Sequence, residues 1–199
     1  MRKYLNKNEI DRVIGELDTP FDLISTIQVY TGRRPTEVLL VKPQDIDHEN
    51  KIIEFIQLKK RGALLYEKDG HKRYARKKVT KPIDCSAFYD ELYRYMSKMP
   101  MSTYLFPSSY DSDQHVNIRT LQRKVKKAGE QSGISVHPHM FRHSFAVQYL
   151  EKRINKDEID PIQALFELKN ILGHASIDTT MGYLAYVTGK ESLKGLWGL

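Results

Sequence analysis

The stretch HPHMFRHSFA, residues 137–146, places three histidines and an arginine within seven residues. His139 and Arg142 are three positions apart, so on a helix their side chains leave the same face. An imidazole beside a planar guanidinium offers hydrogen-bond donors suited to the oxygens of a phosphate. His139 and His143 also have the i, i+4 spacing of zinc ligands, but residues 131–150 contain no Asp or Glu. We therefore predict an anion site rather than a metal site, with His143 in a structural role.

Two other segments carry residue types that suit the same chemistry. The segment TGRRPTE puts Arg34 at the predicted start of a helix, where backbone N–H groups favour an anion, and Glu37 follows one turn later. The segment ILGHASIDTTMGYLAY ends a predicted helix at Gly173, with His174 next and Tyr183 nine residues further on. Taken alone, Arg34 could be an ordinary surface arginine and Tyr183 an ordinary buried aromatic. Only the combination of these residues indicates a site.

The composition is that of an ordinary globular protein. Of the 199 residues, 40% are apolar and 29% are charged, as in typical soluble domains. No apolar run is long enough to span a bilayer, and the first residues lack the hydrophobic region of a signal peptide. Cys85 is the single cysteine, which excludes a disulfide within the chain and fits a reducing compartment. We therefore expect a cytoplasmic protein.

Positive charge is concentrated in one segment. Residues 59–81 contain ten Lys or Arg against Glu67 and Asp69, a balance of +8, whereas the whole chain carries +7. The remaining residues therefore carry about −1 together. A concentrated basic patch is the electrostatic mark of a polyanion partner, so we predict nucleic acid rather than a merely solvated surface.

The elements that must position these residues begin with two helices. The first is predicted in LNKNEIDRVIGEL, with Asn6 as its cap and Glu9 completing a capping box. The second is predicted in DTPFDLISTIQVYTG, with Asp18 or Thr19 as its cap and Gly32 closing it. A third, short helix is predicted in RPTEVLLV.

The pattern then changes to that of strands. Antiparallel strands are predicted in DIDHENKIIEFIQLKK and KKVTKPID, joined by a long basic tip, RGALLYEKDGHKRYAR, with a DG turn signal. Helical patterns resume in CSAFYDELYRYMSK and again from VNIRTLQRKVKKAGEQSG onward, with breaks at Gly133, Asp160–Pro161 and Gly173. We predict a mixed α/β fold, mainly α-helical with a small three-stranded antiparallel sheet, in one domain over residues 1–199.

In their order along the chain, these features resemble the catalytic domain of the tyrosine recombinases of the phage-integrase type. The resemblance runs from about Leu5 to Val187 and rests on TGRRPTE, HPHMFRHSF and LGHASIDTTMGY, with a lysine-bearing hairpin after the first block. It implies that fold and the activity of a site-specific recombinase or integrase. Such an enzyme cleaves and rejoins DNA through a 3′-phosphotyrosine intermediate, without metal or other cofactor.

The resemblance implies a role for each residue that would bind the phosphate. Arg34 and Arg142 would clamp the non-bridging oxygens of the scissile phosphate, with Glu37 orienting the first. His139 would donate to the phosphate and help to manage the proton of the nucleophile, and His174 would supply a further hydrogen bond. Fixed cations and imidazoles of this kind stabilise the negative charge of a pentacoordinate transition state.

The resemblance also implies the nucleophile and the general acid. Tyr183 would attack phosphorus, because its nine-residue spacing from the LGH histidine favours it over the rival Tyr186. Lys59, at the end of the strand IIEFIQL, would protonate the leaving oxygen, and Lys60 is the alternative because strand register cannot be fixed from sequence. The hairpin residues expected to contact DNA are Lys60, Arg61, Lys72, Arg73, Arg76, Lys77 and Lys78.

Further expectations concern assembly and context. The family pattern begins within the first ten residues, so we expect the N-terminal core-binding domain that commonly precedes it to be absent. The expected partners are double-stranded DNA and further copies of the chain, as a tetramer on two DNA sites in a bacterial, archaeal or mobile-element setting. Residues 59–81 would form a basic β-hairpin with an extended tip, and the apolar tail 188–199 would dock on its own core or on a neighbour. The alternatives are a type IB topoisomerase-like relaxing enzyme and a non-catalytic DNA-binding protein of the same fold.

Overall fold

The computed structural model describes residues 4–68, 71–83, 85–99 and 101–187, and within 59–68 and 71–77 it describes the backbone alone. The DG turn signal at 69–70 and the tail 188–199 lie outside the described residues. The helices of the described ranges are α1 (Lys7–Gly15), α2 (Phe21–Thr31), α3 (Pro35–Leu39), α4 (Ser86–Met96), α5 (Ile118–Ser132), α6 (Pro138–Asn155), α7 (Pro161–Leu172) and α8 (Asp178–Val187). The strands are β1 (Ile46–Asp47), β2 (Ile52–Lys68) and β3 (His71–Pro82). The predicted fold class, mainly helical with a small three-stranded antiparallel sheet, is therefore confirmed.

The start of α1 follows the local sequence signals. The side chain of Asn6 accepts a hydrogen bond from the Glu9 backbone N–H at 2.9 Å, and the Glu9 carboxylate accepts one from the Asn6 N–H at 2.8 Å. This reciprocal arrangement is the predicted capping box, which satisfies two N–H groups that the first helical turn leaves unpaired. Ile10 and Val13 of the same helix are buried, as its apolar face predicts.

The predicted cap of α2 is wrong. Pro20 occupies the N-cap position and makes no side-chain cap. The Thr19 hydroxyl instead donates to Asp22 at 2.9 Å, and Lys124 of α5 binds the Asp18 carboxylate at 2.8 Å. The two side chains predicted as caps are therefore engaged elsewhere, Asp18 in an ion pair with α5 and Thr19 in a hydrogen bond to Asp22.

The sheet is a hairpin with one short added strand, in the order β1-β2-β3. Ile46 of β1 pairs with Ile53, and β2 pairs with β3 from Ile52↔Pro82 to Lys68↔His71. The segment predicted as a basic tip is therefore largely paired backbone, with register shifts between Gln57 and Tyr66. No proline interrupts residues 52–81, so nothing in that stretch removes a ladder donor.

Two apolar clusters form the interior, and α6 contributes to both. Met140 and Phe141 pack in the cluster formed mainly by α1, α2, α4, α5 and the sheet. Ala146, Val147 and Leu150 pack in a second cluster with α7 and α8. The seam between the clusters therefore falls on the turn of α6 that carries Arg142 and His143.

Candidate active site

Arg142 lies at this seam and is nearly enclosed, with 4% of its surface exposed. Its Nη1 donates to the Gly32 carbonyl at 2.6 Å, and its Nη2 donates to the Leu172 carbonyl at 3.0 Å. Gly32 caps the C-terminus of α2, and Leu172 is the last residue of α7. Because the dipole of a helix favours a cation at its C-terminus, two helix ends stabilise the buried charge of Arg142.

Arg142 remains a cation at neutral pH. Burial lowers its pKa to about 10, with Arg34 and Arg33 adding repulsion. A third hydrogen bond runs from Nη2 to His174 Nε2 at 3.0 Å. Since a guanidinium has five N–H groups, these contacts fix the side chain and leave N–H groups for an anion.

Arg34 is positioned by the turn between α2 and α3. Gly32 adopts a φ of +64°, and a Cβ at that position would lie 2.5 Å from the Phe145 ring, so no side chain fits there. Arg34 then becomes the N-cap of α3, with Pro35 at the first helical position. The fully buried Glu37 carboxylate accepts from the Arg34 backbone N–H at 3.1 Å and from Arg34 Nη1 at 2.9 Å. The orienting contact between Glu37 and Arg34 is therefore present.

Arg33 is a site neighbour that the sequence analysis missed. Its side chain is fully buried, with Nη2 donating to the Ile171 carbonyl and Nη1 lying 3.9 Å from Glu37 Oε2. Its Nε and Nη1 have no hydrogen-bond partner in the described part of the chain. Burial lowers the pKa of Arg33, and Glu37 opposes that shift. In sequence, RR at a helix start resembles two surface arginines, so no local signal distinguished the buried one.

His174 follows the left-handed cap of α7, where Gly173 has a φ of +71°. The Arg142 guanidinium can only donate, so His174 Nε2 accepts and its Nδ1 carries the proton toward Thr180 Oγ1 at 2.8 Å. Burial, followed by the charge of Arg142, lowers the pKa of His174 to about 4. The imidazole is therefore neutral near pH 7, and its tautomer is fixed by contacts on both sides.

Tyr183 of α8 lies between two imidazoles. Its ring stacks on that of His174, with centroids 6.4 Å apart and planes inclined by 13°. Its hydroxyl oxygen lies 2.8 Å from His143 Nδ1. Burial raises the pKa of Tyr183, and the charges of Arg142 and Arg34 oppose that rise. Tyr183 is therefore in the same cluster as both arginines.

The rival tyrosine occupies a different environment. Tyr186 is 40% exposed, and its ring meets the edge of Tyr4 at 5.2 Å between centroids. The ring of Tyr186 therefore packs on Tyr4, whereas the ring of Tyr183 packs on His174.

The three histidines of HPHMFRHSF occupy different positions relative to the start of α6. His137 is the exposed N-cap residue, and His139 is exposed one residue into the helix. His143, for which the sequence predicted a structural role, lies with Nδ1 2.8 Å from the Tyr183 hydroxyl oxygen. The two residues are 40 positions apart in the chain, so local pattern gave no sign of the contact.

Of the predicted hairpin residues, Lys78 is the one with a described side chain. The side chains of Lys59, Lys60, Arg61, Lys72, Arg73, Arg76 and Lys77 lie outside what the structure describes. The described Lys78 is 58% exposed and forms an ion pair with Glu54, which raises its pKa. Its charge is therefore partly neutralised within the protein.

A second basic surface, which the sequence analysis did not assign, lies on α5. This amphipathic helix buries Leu121 and Val125. Its exposed face carries four cations, Arg119, Arg123, Lys126 and Lys127. The signal was present in the sequence, but the stronger charge of the hairpin obscured it.

Within the described residues, no group of three or more His, Cys, Asp or Glu side chains could hold a metal ion. None of the helices described is long and apolar enough to cross a membrane.

Comparison with known proteins places the chain in one family. The family model described as the phage integrase family covers residues 3–188. The chain therefore belongs to the phage integrase family, whose relatives below are named as tyrosine recombinases.

Three similar proteins illustrate the relationship. The tyrosine recombinase XerA of Saccharolobus solfataricus is 30% identical over 186 residues, which are 91% of this chain and 51% of the relative. The crystal structure of a XerA recombinase superposes with a TM-score of 0.68 at 26% identity, covering 100% of this chain and 63% of that one. The XerH recombinase bound to palindromic difH substrate has a TM-score of 0.67 at 22% identity over 97% of this chain and 52% of that one, a likeness of fold. The chain spans 51% to 59% of the length of three XerA relatives.

Proposed function

We propose that this chain is the catalytic domain of a site-specific recombinase that cleaves and rejoins DNA through a 3′-phosphotyrosine. The observation that carries the proposal is the position of the Tyr183 ring, stacked on His174 while His174 Nε2 accepts from Arg142. A nucleophile, a cation and a neutral imidazole thus meet at one seam of the fold. The TGRR turn brings Arg34 close enough to act on the pKa values of Tyr183, His174 and Arg142.

In the proposed reaction the arginines bind the scissile phosphate first. Arg34 and Arg142 neutralise its non-bridging oxygens, which otherwise repel an oxygen nucleophile, and His139 donates a further hydrogen bond. The same groups then stabilise the charge of the pentacoordinate transition state. Holding Arg34 through Glu37 reduces the reorganisation needed when that charge develops.

The strand transfer conserves the energy of the broken bond. The Tyr183 oxygen forms a bond to phosphorus as the bond from phosphorus to the 5′ oxygen breaks. Lys59, or Lys60 in its place, gives a proton to the leaving oxygen. Attack of a 5′-hydroxyl on the phosphotyrosine reverses these steps and rejoins a strand, so neither ATP nor a cofactor is required.

DNA is the proposed partner on electrostatic grounds. The basic hairpin, with DNA contacts proposed from Lys60 to Lys78, and the exposed cations of α5 form two positively charged surfaces. XerH, which shares this fold, is bound to its difH substrate, in keeping with this assignment. We expect steep salt dependence, because each neutralised phosphate releases counterions.

The assembly follows from the same proposal. Recombination between two sites needs four cleavages, so we propose four copies of the chain on two DNA sites. Each copy would contribute residues 1–199 as one catalytic domain. The apolar tail 188–199 would dock on a neighbouring copy and couple assembly to the position of α8.

Covalent trapping tests the activity. A pool of nicked duplexes with a randomised central segment is incubated with the protein in EDTA, denatured and examined for protein-linked DNA. We expect wild type and Tyr186→Phe to form an adduct and Tyr183→Phe to form none. Metal-dependent hydrolysis without an adduct would overturn the proposal. Recombination of a plasmid with two copies of the captured sequence, compared with relaxation of any plasmid, separates recombinase from topoisomerase.

A further inference from the structure

The proton of the nucleophile has a specific neighbour in this fold. His143 Nδ1 lies 2.8 Å from the Tyr183 hydroxyl oxygen, and the two rings are 5.6 Å apart between centroids. His143 follows Arg142 on α6, so the helix that positions the phosphate-binding arginine also positions this imidazole. His139, to which the family resemblance gave the handling of this proton, is exposed one turn earlier.

We infer that His143 is a further catalytic residue, the general base that takes the Tyr183 proton during cleavage and returns it during rejoining. With neutral His143 carrying its proton on Nε2, the hydroxyl donates to Nδ1. As the bond between the Tyr183 oxygen and phosphorus forms, the hydroxyl proton moves to Nδ1. The bond to the 5′ oxygen breaks, and that oxygen takes its proton from the hairpin lysine. Rejoining runs the same transfers backward, so no oxidant, reductant or other reactant is consumed.

The reaction needs such a base because the Tyr183 hydroxyl is a weak acid that rarely ionises unaided. Burial raises its pKa above the ordinary value of 10, so fewer than about one molecule in a thousand is ionised at pH 7. A base within hydrogen-bond reach contributes about 10²- to 10⁴-fold to such a step. The observed 2.8 Å separation is within that reach.

A bound phosphate would favour proton uptake by His143. The titratable groups that the structure shows near it are Tyr183 on α8, whose hydroxyl oxygen lies 2.8 Å from Nδ1, and His174 after α7, whose pKa the charge of His143 helps to lower. Arg142, which precedes it on α6, and Arg34 act on both of these groups. The phosphate, and the negative charge that develops on it, would stabilise an imidazolium beside Tyr183 at the moment of transfer.

The inference rests on the proposed function, and its test separates the two. The probe is the nicked duplex captured by wild type, and the measurement is the single-turnover rate of adduct formation in EDTA from pH 6 to 9. His143→Asn keeps an acceptor near the position of Nδ1 but cannot take the proton at these pH values. His143→Ala opens space for added imidazole. The matched control is His48→Asn, since His48 is an exposed residue that packs on Tyr89 and Tyr93, away from the site.

We expect His143→Asn to cleave about 10²- to 10³-fold more slowly than wild type, with unchanged DNA affinity. Its rate should rise about tenfold per pH unit because hydroxide then supplies the phenolate. Imidazole should accelerate His143→Ala and not His143→Asn, a response that a merely structural role would not give. A His143→Asn rate within about threefold of wild type would overturn the inference and leave the proposed function standing. So would equal losses of rate in His143→Asn and His143→Ala, with an unchanged pH profile and no response to imidazole. No adduct from wild type would remove the proposed function as well.

Discussion

Glu37 carries a buried negative charge, and its removal should destabilise the site more than any other loss of charge. It accepts two hydrogen bonds from Arg34 and lies 3.9 Å from Arg33, and both Glu37 and Arg33 are fully buried. Glu37→Gln keeps the size and one acceptor oxygen of the side chain but removes its charge. Arg34 can turn toward water from its 17% exposed position, whereas Arg33 cannot.

The expected loss is large because an enclosed guanidinium is left without its counter-charge. Removing one partner of a buried ion pair costs about 3–5 kcal/mol, and we expect Glu37→Gln to reduce the free energy of unfolding by this amount. Arg33→Met should cost less, because the buried Glu37 carboxylate keeps its two hydrogen bonds from Arg34. The Ile171 carbonyl then loses its donor, a penalty of about 1–3 kcal/mol. In the double variant the two losses should fall short of additivity by about 2 kcal/mol.

Urea unfolding at pH 7 measures these differences. With a slope of about 2 kcal/mol per molar, Glu37→Gln should lower the midpoint by about 1.5–2.5 M. The exposed Glu16 at the end of α1 offers a matched control, and Glu16→Gln should change stability by less than about 0.5 kcal/mol. A loss below about 1 kcal/mol for Glu37→Gln, or additivity within about 0.5 kcal/mol in the cycle, would show that Glu37 and Arg33 do not depend on one another.

Three further outcomes follow from the same geometry. Tyr183→Phe should reduce adduct formation in gel assays by at least about a thousandfold while retaining DNA binding. Tyr186→Phe should form adduct within about threefold of wild type, and the opposite ranking would exchange the roles of the two tyrosines. Gly173→Ala should lower the free energy of unfolding, measured in urea, by at least about 1–2 kcal/mol. An L residue is strained at φ +71°, and its Cβ would lie 2.8 Å from the side-chain amide nitrogen of Gln57. An unchanged stability would contradict that strain. The pKa of His174 is depressed from 6.5 to about 4, so the unfolded chain binds its proton first and stability falls as pH drops through 6.5 toward 4. Between pH 7 and 5 wild type should lose about 2 kcal/mol more than His174→Gln in urea unfolding, and equal slopes would refute the assignment.

The sequence predicted best what is decided within one or two turns of chain. The capping box of Asn6 and Glu9 and the helix ends at Gly32 and Gly173 depend on neighbouring residues alone, and all of them are confirmed. The order of the three blocks also identified the family, because the spacing from His174 to Tyr183 is set within one helix–turn–helix unit.

What the sequence missed depends on contacts between distant segments. The cap of α2 failed because Lys124, 106 residues away, binds Asp18. The burial of Arg33 depends on a carbonyl 138 residues further along the chain. The contact of His143 with Tyr183 joins two helices, and no periodicity within either helix encodes how the two pack.

Two of the cations at the site, Arg33 and Arg142, are buried in the protein interior. Three guanidiniums, of Arg33, Arg34 and Arg142, converge at the seam between the two clusters, and Glu37 is the one carboxylate that pairs with them in the described residues. With three guanidiniums and one carboxylate, the free protein carries an excess of positive charge there, and burial and repulsion between the guanidiniums lower the pKa of Arg33 and Arg142. Helix C-termini and backbone carbonyls hold that charge in place without neutralising it. In the proposed function a phosphate diester supplies the missing negative charge, so the arrangement that costs the free protein stability would be the one that favours bound DNA.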